Sequence, residues 1–135
     1  MNETWKATPT RVVYRRFAPG ESLVADLDAF ARSEGIRSAI ITSCIGSLST
    51  LRLRNLCERD GDRSEFQWHN IGGILEIVSA EGYIQPLPDG EIRTHVHIVT
   101  ARPSGELVGG HCDDGVILTG AFMYLQVLEH DEDAG

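Results

Sequence analysis

The sequence predicts an α+β fold, a mostly antiparallel β-sheet with one packing helix near the N-terminus. One early segment has apolar residues at helical spacing, whereas most of the remaining chain alternates apolar and polar residues between glycines, prolines and aspartates that favour turns. A helix followed by many strands is the order typical of α+β domains. The 135 residues fit one domain with a single modest core.

The N-terminal part of the chain carries the predicted helix. Residues 1–10 are polar and are predicted to be flexible, and the domain is expected to span residues 11–129. Residues 11–17, rich in β-branched and aromatic side chains, predict the first strand. The helix follows Ser22 and ends at Gly35, since glycine suits the left-handed conformation of a helix cap. Its apolar stripe consists of Leu23, Val24, Leu27, Phe30 and Ala31.

The middle of the chain is predicted to form four short strands. They are expected at residues 38–44, 48–56, 65–71 and 74–79. Gly46 and the two glycines at 72 and 73 are expected to interrupt them, and residues 60–61 to form a turn. A loop should follow at residues 86–90, because its two prolines cannot lie in a central strand.

The last third of the chain is predicted to contain three strands. They are expected at residues 92–101, 107–111 and 116–128, with turns at residues 103–105 and 113–115. Residues 130–135 form an acidic tail that is expected to fray. Because a mostly antiparallel sheet leaves edge strands that need cover, the fold favours self-association.

Three of the five histidines lie close together in this last third. His95 and His97 are one residue apart in an alternating run, so their side chains share one face of a strand. His111 follows Gly109 and Gly110 on the return segment, and a hairpin would bring it back toward the pair. Three neutral imidazoles that converge from adjacent strands can supply three ligands to a zinc-like ion and leave a fourth position open.

The surroundings of these histidines favour a metal site over isolated histidines, which are usually surface or satisfied core residues. The two glycines before His111 lack Cβ atoms, so the backbone can pass close to a neighbouring chain segment or a ligand. Cys112 would point to the other face and is interpreted as a small buried residue, not as a fourth ligand. Imidazole ligands suit zinc best, but nickel, copper and iron stay open as alternatives.

Glu76 lies inside the apolar segment I-L-E-I-V and has two interpretations. It can occupy an edge or solvent-facing position of a strand. Alternatively it is a buried carboxylate near the metal, acting as a ligand or a proton carrier. In that second interpretation Glu76 is the candidate catalytic acid or base.

The charge balance argues against nucleic acid as a partner. Twenty acidic residues face twelve basic ones, and the formal net charge is −8. Non-specific binding of DNA or RNA depends on neutralising phosphates with lysine and arginine. A local cluster of arginines is interpreted as a solvated strand face and hairpin. It consists of Arg52, Arg54, Arg59 and Arg63.

Composition also limits the compartment. Three cysteines at wide spacing, an odd number, do not suggest a disulfide framework. Polar residues interrupt every apolar run before it is long enough to cross a membrane, and the first ten residues contain no apolar core of a secretory signal. A cytoplasmic location is therefore expected.

Four segments carry a family resemblance: R-F-A-P-G-E-S-L, F-A-R-S-E-G-I-R-S-A, C-I-G-S-L-S, and H-V-H-I followed by G-E-L-V-G-G-H. Together they resemble the PPC domain, the plants and prokaryotes conserved domain, over residues 11–129. The resemblance implies a sheet packed with helices and a homotrimer. It places His95, His97 and His111 on the family's histidine motif and Glu76 in its central strand as the retained acidic residue.

Relatives in plants join this domain to AT-hooks that bind the DNA minor groove. The present chain has no R-G-R-P hook, so DNA is not expected as a partner of this chain alone. The histidine arrangement is also similar to the zinc site of acetolactate decarboxylases, in which three histidines hold zinc as a Lewis acid for a small keto-hydroxy acid.

Two functions follow from these features, and sequence-specific DNA binding, the label often given to such domains, ranks below both. The first is a homotrimeric binding or assembly module with a three-histidine site for zinc or another divalent transition metal. The second is a metal-dependent enzyme, similar to a lyase or hydrolase, that binds a small oxygenated metabolite at the metal. No Ser-His-Asp set, Walker loop or dinucleotide fingerprint is visible in the sequence.

Overall fold

The computed structural model describes residues 3–130, which contain one α-helix and five β-strands. The strands are Ala7–Phe17 (β1), Ala39–Asp60 (β2), Arg63–Pro86 (β3), Ile92–Ala101 (β4) and Leu107–His130 (β5), and the helix is Leu23–Ser33 (α1). All strand pairs are antiparallel, in the order β1-β5-β2-β3-β4, and β4 also pairs with β5. Strands β2, β3, β4 and β5 therefore form a closed sheet, in which each of the four pairs with two of the others. The prediction of a mostly antiparallel sheet with one short helix is confirmed.

The helix packs through the predicted stripe and is capped by a distant strand. Its buried residues are Leu23, Leu27 and Ala31. Ser22 makes no side-chain cap, and the carboxylate of Asp114 on β5 instead accepts hydrogen bonds from the N–H groups of Val24 (2.9 Å) and Ala25 (3.3 Å). A carboxylate at this position satisfies free backbone donors and complements the positive end of the helix dipole. Asp114 thereby links α1 to the sheet.

Three predicted interruptions do not end strands, and those predictions are wrong. β2 runs through Gly46, β3 runs through the glycines at 72 and 73, and β5 runs through residues 113–115. Six predicted short strands are therefore halves of three long ones. Glycine inside a strand often marks a close approach of backbones and not a turn. At Gly46 an added Cβ would overlap the carbonyl oxygen of Gly120 on β5.

The predicted turn at residues 113–115 is a β-bulge. On either side of Asp113, Arg52 pairs with Asp114 and Leu53 pairs with Cys112, so Asp113 is an additional residue on β5. A bulge bends and twists a strand without ending it. Next to the bulge, the side chain of Asp114 points toward the first turn of α1, and its carboxylate caps the N-terminus of the helix.

The described chain ends differ from the prediction at the N-terminus. β1 begins at Ala7 and not at residue 11, because β5 extends to His130 and supplies a pairing partner for Ala7. Residues 7–10, predicted to be flexible, belong to this strand. The predicted turn after β2 is confirmed, since a two-residue connection joins β2 to β3. Residues 131–135 of the predicted acidic tail lie outside the described residues.

Buried apolar side chains from α1 and all five strands form one core. On β4 the inward side chains include Val96 and Ile98, which are 1% and 2% exposed. Successive strand residues point to opposite faces, so His95 and His97 project from the outer face of the sheet. The helix described within residues 3–130 is not long and apolar enough to cross a membrane.

Candidate metal centre

Two strands bring the three predicted histidines to one place. His95 and His97 share the outer face of β4, and the register of β4 and β5 pairs His97 directly with His111. Directly opposed residues in an antiparallel pair have side chains on the same face, about 5 Å apart at their Cβ atoms. The prediction that the return segment carries His111 back to the pair is therefore confirmed.

The imidazoles are close enough to share an ion. One ligand atom from each ring lies within 4.8 Å of the other two, and Nε2 of His95 is 3.1 Å from Nε2 of His97. Two nitrogens bound to one tetrahedral zinc ion are about 3.3 Å apart, given Zn–N bonds of about 2.0–2.1 Å. Two nitrogen lone pairs at 3.1 Å repel each other unless a proton or a cation lies between them. The donor set thus fits a transition metal ion.

The glycines before His111 are required by close contacts with β4, at Gly109, and with β2, at Gly110. Gly110 has φ +147°, and an added Cβ would overlap the side-chain oxygen of Asn55, while a Cβ on Gly109 would overlap the carbonyl oxygen of Ile98. Asn55 accepts a hydrogen bond from the N–H of His111 at 3.2 Å and donates one to the carbonyl of Gly109 at 3.4 Å. Asn55 thereby fixes the backbone that presents the third imidazole.

Tyr83 orients the first imidazole. It lies opposite His95 in the register of β3 and β4, and its hydroxyl is 3.2 Å from His95 Nδ1. A partner on one ring nitrogen fixes the tautomer and rotation of a histidine whose other nitrogen binds a metal. The hydrogen bond therefore leaves Nε2 of His95 directed at His97.

Arg54 borders the cluster from β2. Its Nη2 lies 3.5 Å from Nε2 of His111, and its guanidinium carbon lies 4.4 Å from the ring centre of Phe66 and 5.8 Å from that of Trp68. These cation–π contacts restrict the movement of the guanidinium. Arg54 is half-buried, in contrast to the predicted solvated cluster, whereas Arg59 in the same hairpin is exposed.

Burial and nearby positive charges favour the neutral form of two of the imidazoles. Burial lowers the pKa of His95, and the charges of His97, Arg93 and Arg54 lower it further. Burial also lowers the pKa of His111, with Arg54 as the largest charge contribution and Asp113 in opposition. Neutral imidazole is the form that binds metal ions, so a proton competes little for these ligands at neutral pH.

Glu76 occupies the solvent-facing position that was one of its two interpretations. Its side chain is exposed, and its pairing partners on β2 and β4 are Ser47 and Ala101. It does not belong to the group of potential ligands formed by the three histidines. The register instead places Glu81 opposite His97.

Sequence reasoning missed three residues that support the site: Arg54, Asn55 and Tyr83. A partial signal existed, since β2 alternates arginine with leucine while β3 carries Phe66 and Trp68 at the matching spacing. Their proximity to the histidines depends on strand register, which the sequence leaves open. The interpretation of Cys112 as a small buried residue is confirmed, because it is 3% exposed.

A family model for the Plants and Prokaryotes Conserved (PCC) domain matches residues 6–130. The chain belongs to the PCC domain family. A plant- and prokaryote-conserved protein from Pyrococcus horikoshii is 27% identical to this PCC domain, with a TM-score of 0.81 over 95% of this chain and 85% of that one. The resemblance noted in the sequence is therefore confirmed.

Two more distant structures share the PCC fold. A metal-containing protein from Archaeoglobus fulgidus is 22% identical, with a TM-score of 0.82 over 99% of this chain and 96% of that one. A candidate DNA-binding protein from Bacteroides thetaiotaomicron is 18% identical, with a TM-score of 0.77 over 93% of this chain and 85% of that one. At these identities the likeness shows the fold alone.

A curated relative is much longer than this chain. The bifunctional protein GlmU of a Synechococcus strain is 32% identical over 103 residues, which make up 76% of this chain. The PCC domain spans only 14% of the length of that relative. The match therefore concerns one region of GlmU.

Proposed function

We propose that this PCC domain protein is a homotrimeric binding or assembly module that holds a divalent transition metal ion, preferably zinc, at His95, His97 and His111. The convergence of three imidazole ligand atoms within 4.8 Å carries the proposal. Three protein ligands with an open fourth position are typical of zinc sites that exchange a ligand. The description of the Archaeoglobus fulgidus neighbour as a metal-containing protein agrees with it.

Self-association is supported by an apolar patch on the outer face of the sheet. Tyr14 and Tyr124 are in contact across β1 and β5, with ring centres 4.9 Å apart and ring planes tilted by 48°. Phe122 pairs with Ile45 across β5 and β2. Each of these four side chains is between 39% and 55% exposed. Contiguous exposed apolar side chains of this kind mark protein interfaces. The number of three subunits comes from the family resemblance.

Metal analysis of protein purified without added metal tests the site. We expect about one equivalent of zinc, or of another divalent transition metal, per chain. The variant His111→Ala should lose it, whereas His69→Ala, a half-buried histidine on β3 outside the cluster, should keep it. Protein that contains no metal and acquires none from a zinc-containing buffer would contradict the proposal.

The mass of the particle in solution tests the assembly independently. Light scattering coupled to gel filtration is expected to give three times the chain mass. Replacing Tyr124 by Asp puts a charge into the apolar patch and should shift the mass toward one chain. A wild-type monomer at micromolar concentration would refute the trimer without affecting the metal site.

A metal-dependent enzyme is the second candidate, favoured by the exposure of His97. A small oxygenated molecule could reach an ion held beside it, and a bound ion supplies Lewis acidity there. Glu76 is retained as the proposed acid or base, at its exposed position opposite Ala101. If turnover of a small keto or hydroxy acid is found, Glu76→Gln should reduce kcat by at least about a hundredfold. An unchanged kcat would remove Glu76 from this role.

DNA is proposed to play no part for this chain alone. The description of the Bacteroides thetaiotaomicron neighbour stands against this, but the formal net charge of −8 opposes attraction to phosphate. A gel-shift titration at low salt should show no complex. A complex that survives at physiological salt would overturn this expectation.

A further inference from the structure

Arg54 places a permanent positive charge at the edge of the histidine cluster. Its Nη2 is 3.5 Å from His111 Nε2, in contact with one of the three rings that would hold the ion. A guanidinium stays protonated at any physiological pH and has only donors, so it cannot serve as a ligand to a metal ion. Its presence beside a cation site therefore needs an explanation other than metal binding.

Internal contacts satisfy this guanidinium only in part. Its Nε is buried and has no hydrogen-bond partner, and among residues 3–130 no carboxylate forms an ion pair with it. A buried donor without a partner costs free energy. The rings of Phe66 and Trp68 nevertheless hold the group in place. Arg54 is thus fixed next to the cluster with donor capacity left over.

The charges around the cluster point the same way. Imidazole binds a metal ion in its neutral form, so three histidine ligands would leave the full charge of a divalent ion uncompensated, and Arg54 adds to it. The nearby carboxylate of Asp113 pairs with Arg52 at 3.7 Å. Glu81, opposite His97, is exposed and outside the group of potential ligands. A metal-loaded site would therefore have an excess of positive charge on the side of Arg54.

We propose that the open position of this site binds a small anionic oxygen ligand, a carboxylate or a phosphate, and that Arg54 is the residue that selects it. This inference rests on the proposed metal function and adds the class of ligand. Both groups offer paired oxygens that match the fork of donors on a guanidinium. A neutral ligand such as an amide would leave the excess charge uncompensated.

Cobalt-loaded protein provides a direct readout, because the visible absorption of Co²⁺ responds to its coordination. The probes are acetate and inorganic phosphate, with acetamide as the neutral control. Arg54→Gln removes the charge, and Arg54→Lys keeps the charge but loses the fork. Arg59→Gln is the matched control, since Arg59 is exposed and donates to Ser64 within the hairpin.

We expect acetate or phosphate to change the cobalt spectrum of the wild-type protein and of Arg59→Gln equally. In Arg54→Gln, the anion affinity should fall about ten- to hundredfold, as for the loss of a charge-assisted hydrogen bond. Arg54→Lys should lie between them. Cobalt affinity in Arg54→Gln should stay equal or rise, because a positive charge beside the ion is removed.

Three results would overturn the anion site while leaving the metal site intact, and the first two concern the anions themselves. They are a wild-type cobalt spectrum that neither anion changes, and equal anion affinity in Arg54→Gln and wild type. A larger response to acetamide than to the anions would also refute selection by charge. Failure of the wild-type protein to bind cobalt at all would refute the proposed metal function, and the anion site with it.

Discussion

The two faces of β4 have different requirements. The inward residues Val96 and Ile98 are buried and pack by volume and apolarity against the remaining core. The outward residues His95 and His97 stay partly accessible, and their use depends on the direction of individual nitrogen atoms. One alternating pattern therefore specifies both the core and the site. Substitutions on the inward face should disturb packing, whereas substitutions on the outward face should disturb the direction of the ligand atoms.

The faces also differ in how strongly each position depends on particular partner residues from other strands. An inward side chain contacts many neighbours, so no single partner defines its place. The outward cluster depends on specific residues from three further strands: Asn55 on β2, Tyr83 on β3 and His111 on β5. We therefore expect inward substitutions to reduce stability and outward ones to reduce binding.

The largest expected effect separates two neighbours on β4. Ile98→Ala removes a fully buried side chain and should lower the free energy of unfolding by about 2–5 kcal/mol. His97→Ala should change it by less than about 0.5 kcal/mol in metal-free buffer, since exposed positions contribute little. Urea unfolding of both variants measures this difference. Equal losses would contradict the division of the two faces.

A glycine substitution should affect both faces at once. Gly110→Ala places a Cβ against Asn55 in a backbone conformation with φ +147° that favours glycine. We expect a loss of about 1–3 kcal/mol in stability, together with weaker metal binding as His111 is displaced. Thermal unfolding and a zinc-competition assay provide the two measurements. Gly105→Ala, at a loop glycine with φ +89°, is the control that should weaken stability but not metal binding.

A smaller effect is expected from the residue that orients His95. Tyr83→Phe removes only the hydroxyl that lies 3.2 Å from Nδ1. Loss of such a supporting hydrogen bond should weaken metal affinity about ten- to hundredfold, with the metal-to-chain ratio unchanged at saturation. Tyr14→Phe, whose ring lies in the apolar patch, provides the control. Identical zinc affinities for both variants would show that Tyr83 does not support the site.

The smallest expected effect is a loss of stability at high pH that comes from the two buried thiols of the inner face. Burial raises the pKa of Cys44 and Cys112 from 9.0 to about 12. Above pH 9 the unfolded chain loses these protons while the folded chain keeps them, so stability should fall as pH rises. The expected loss is about 1 kcal/mol per thiol near pH 9.5. Urea unfolding at pH 8 and pH 9.5 measures it.

Thiol labelling offers a cross-check on the same face. In native protein a disulfide reagent should modify Cys57, which is exposed, and spare the two buried thiols. All three should react after unfolding. Rapid native labelling of Cys112 would show that the inner face opens near His111.

Much of the fold could be read from local patterns. The stripe of Leu23 and Leu27 predicts α1, and the alternation around Val96 predicts β4 and the common face of its histidines. These features depend on periods of 3.6 and 2 residues, which the sequence displays directly. The predicted strand ends at Gly46 and Asp113 were wrong, because each of these residues, although typical of turns, lies inside a long strand. Pairing with the neighbouring strand, and not the residue type, decides whether the strand continues there.

By itself, the sequence determined the helix, the antiparallel class of the sheet and the identity of the three histidines. Each of these follows from residue type and spacing along one segment. Only the tertiary structure decided that Arg54 and Tyr83 border the cluster and that Glu76 is exposed. The reason is register: pairing between strands distant in sequence fixes which side chains meet, and a shift by one residue would place them on the opposite face.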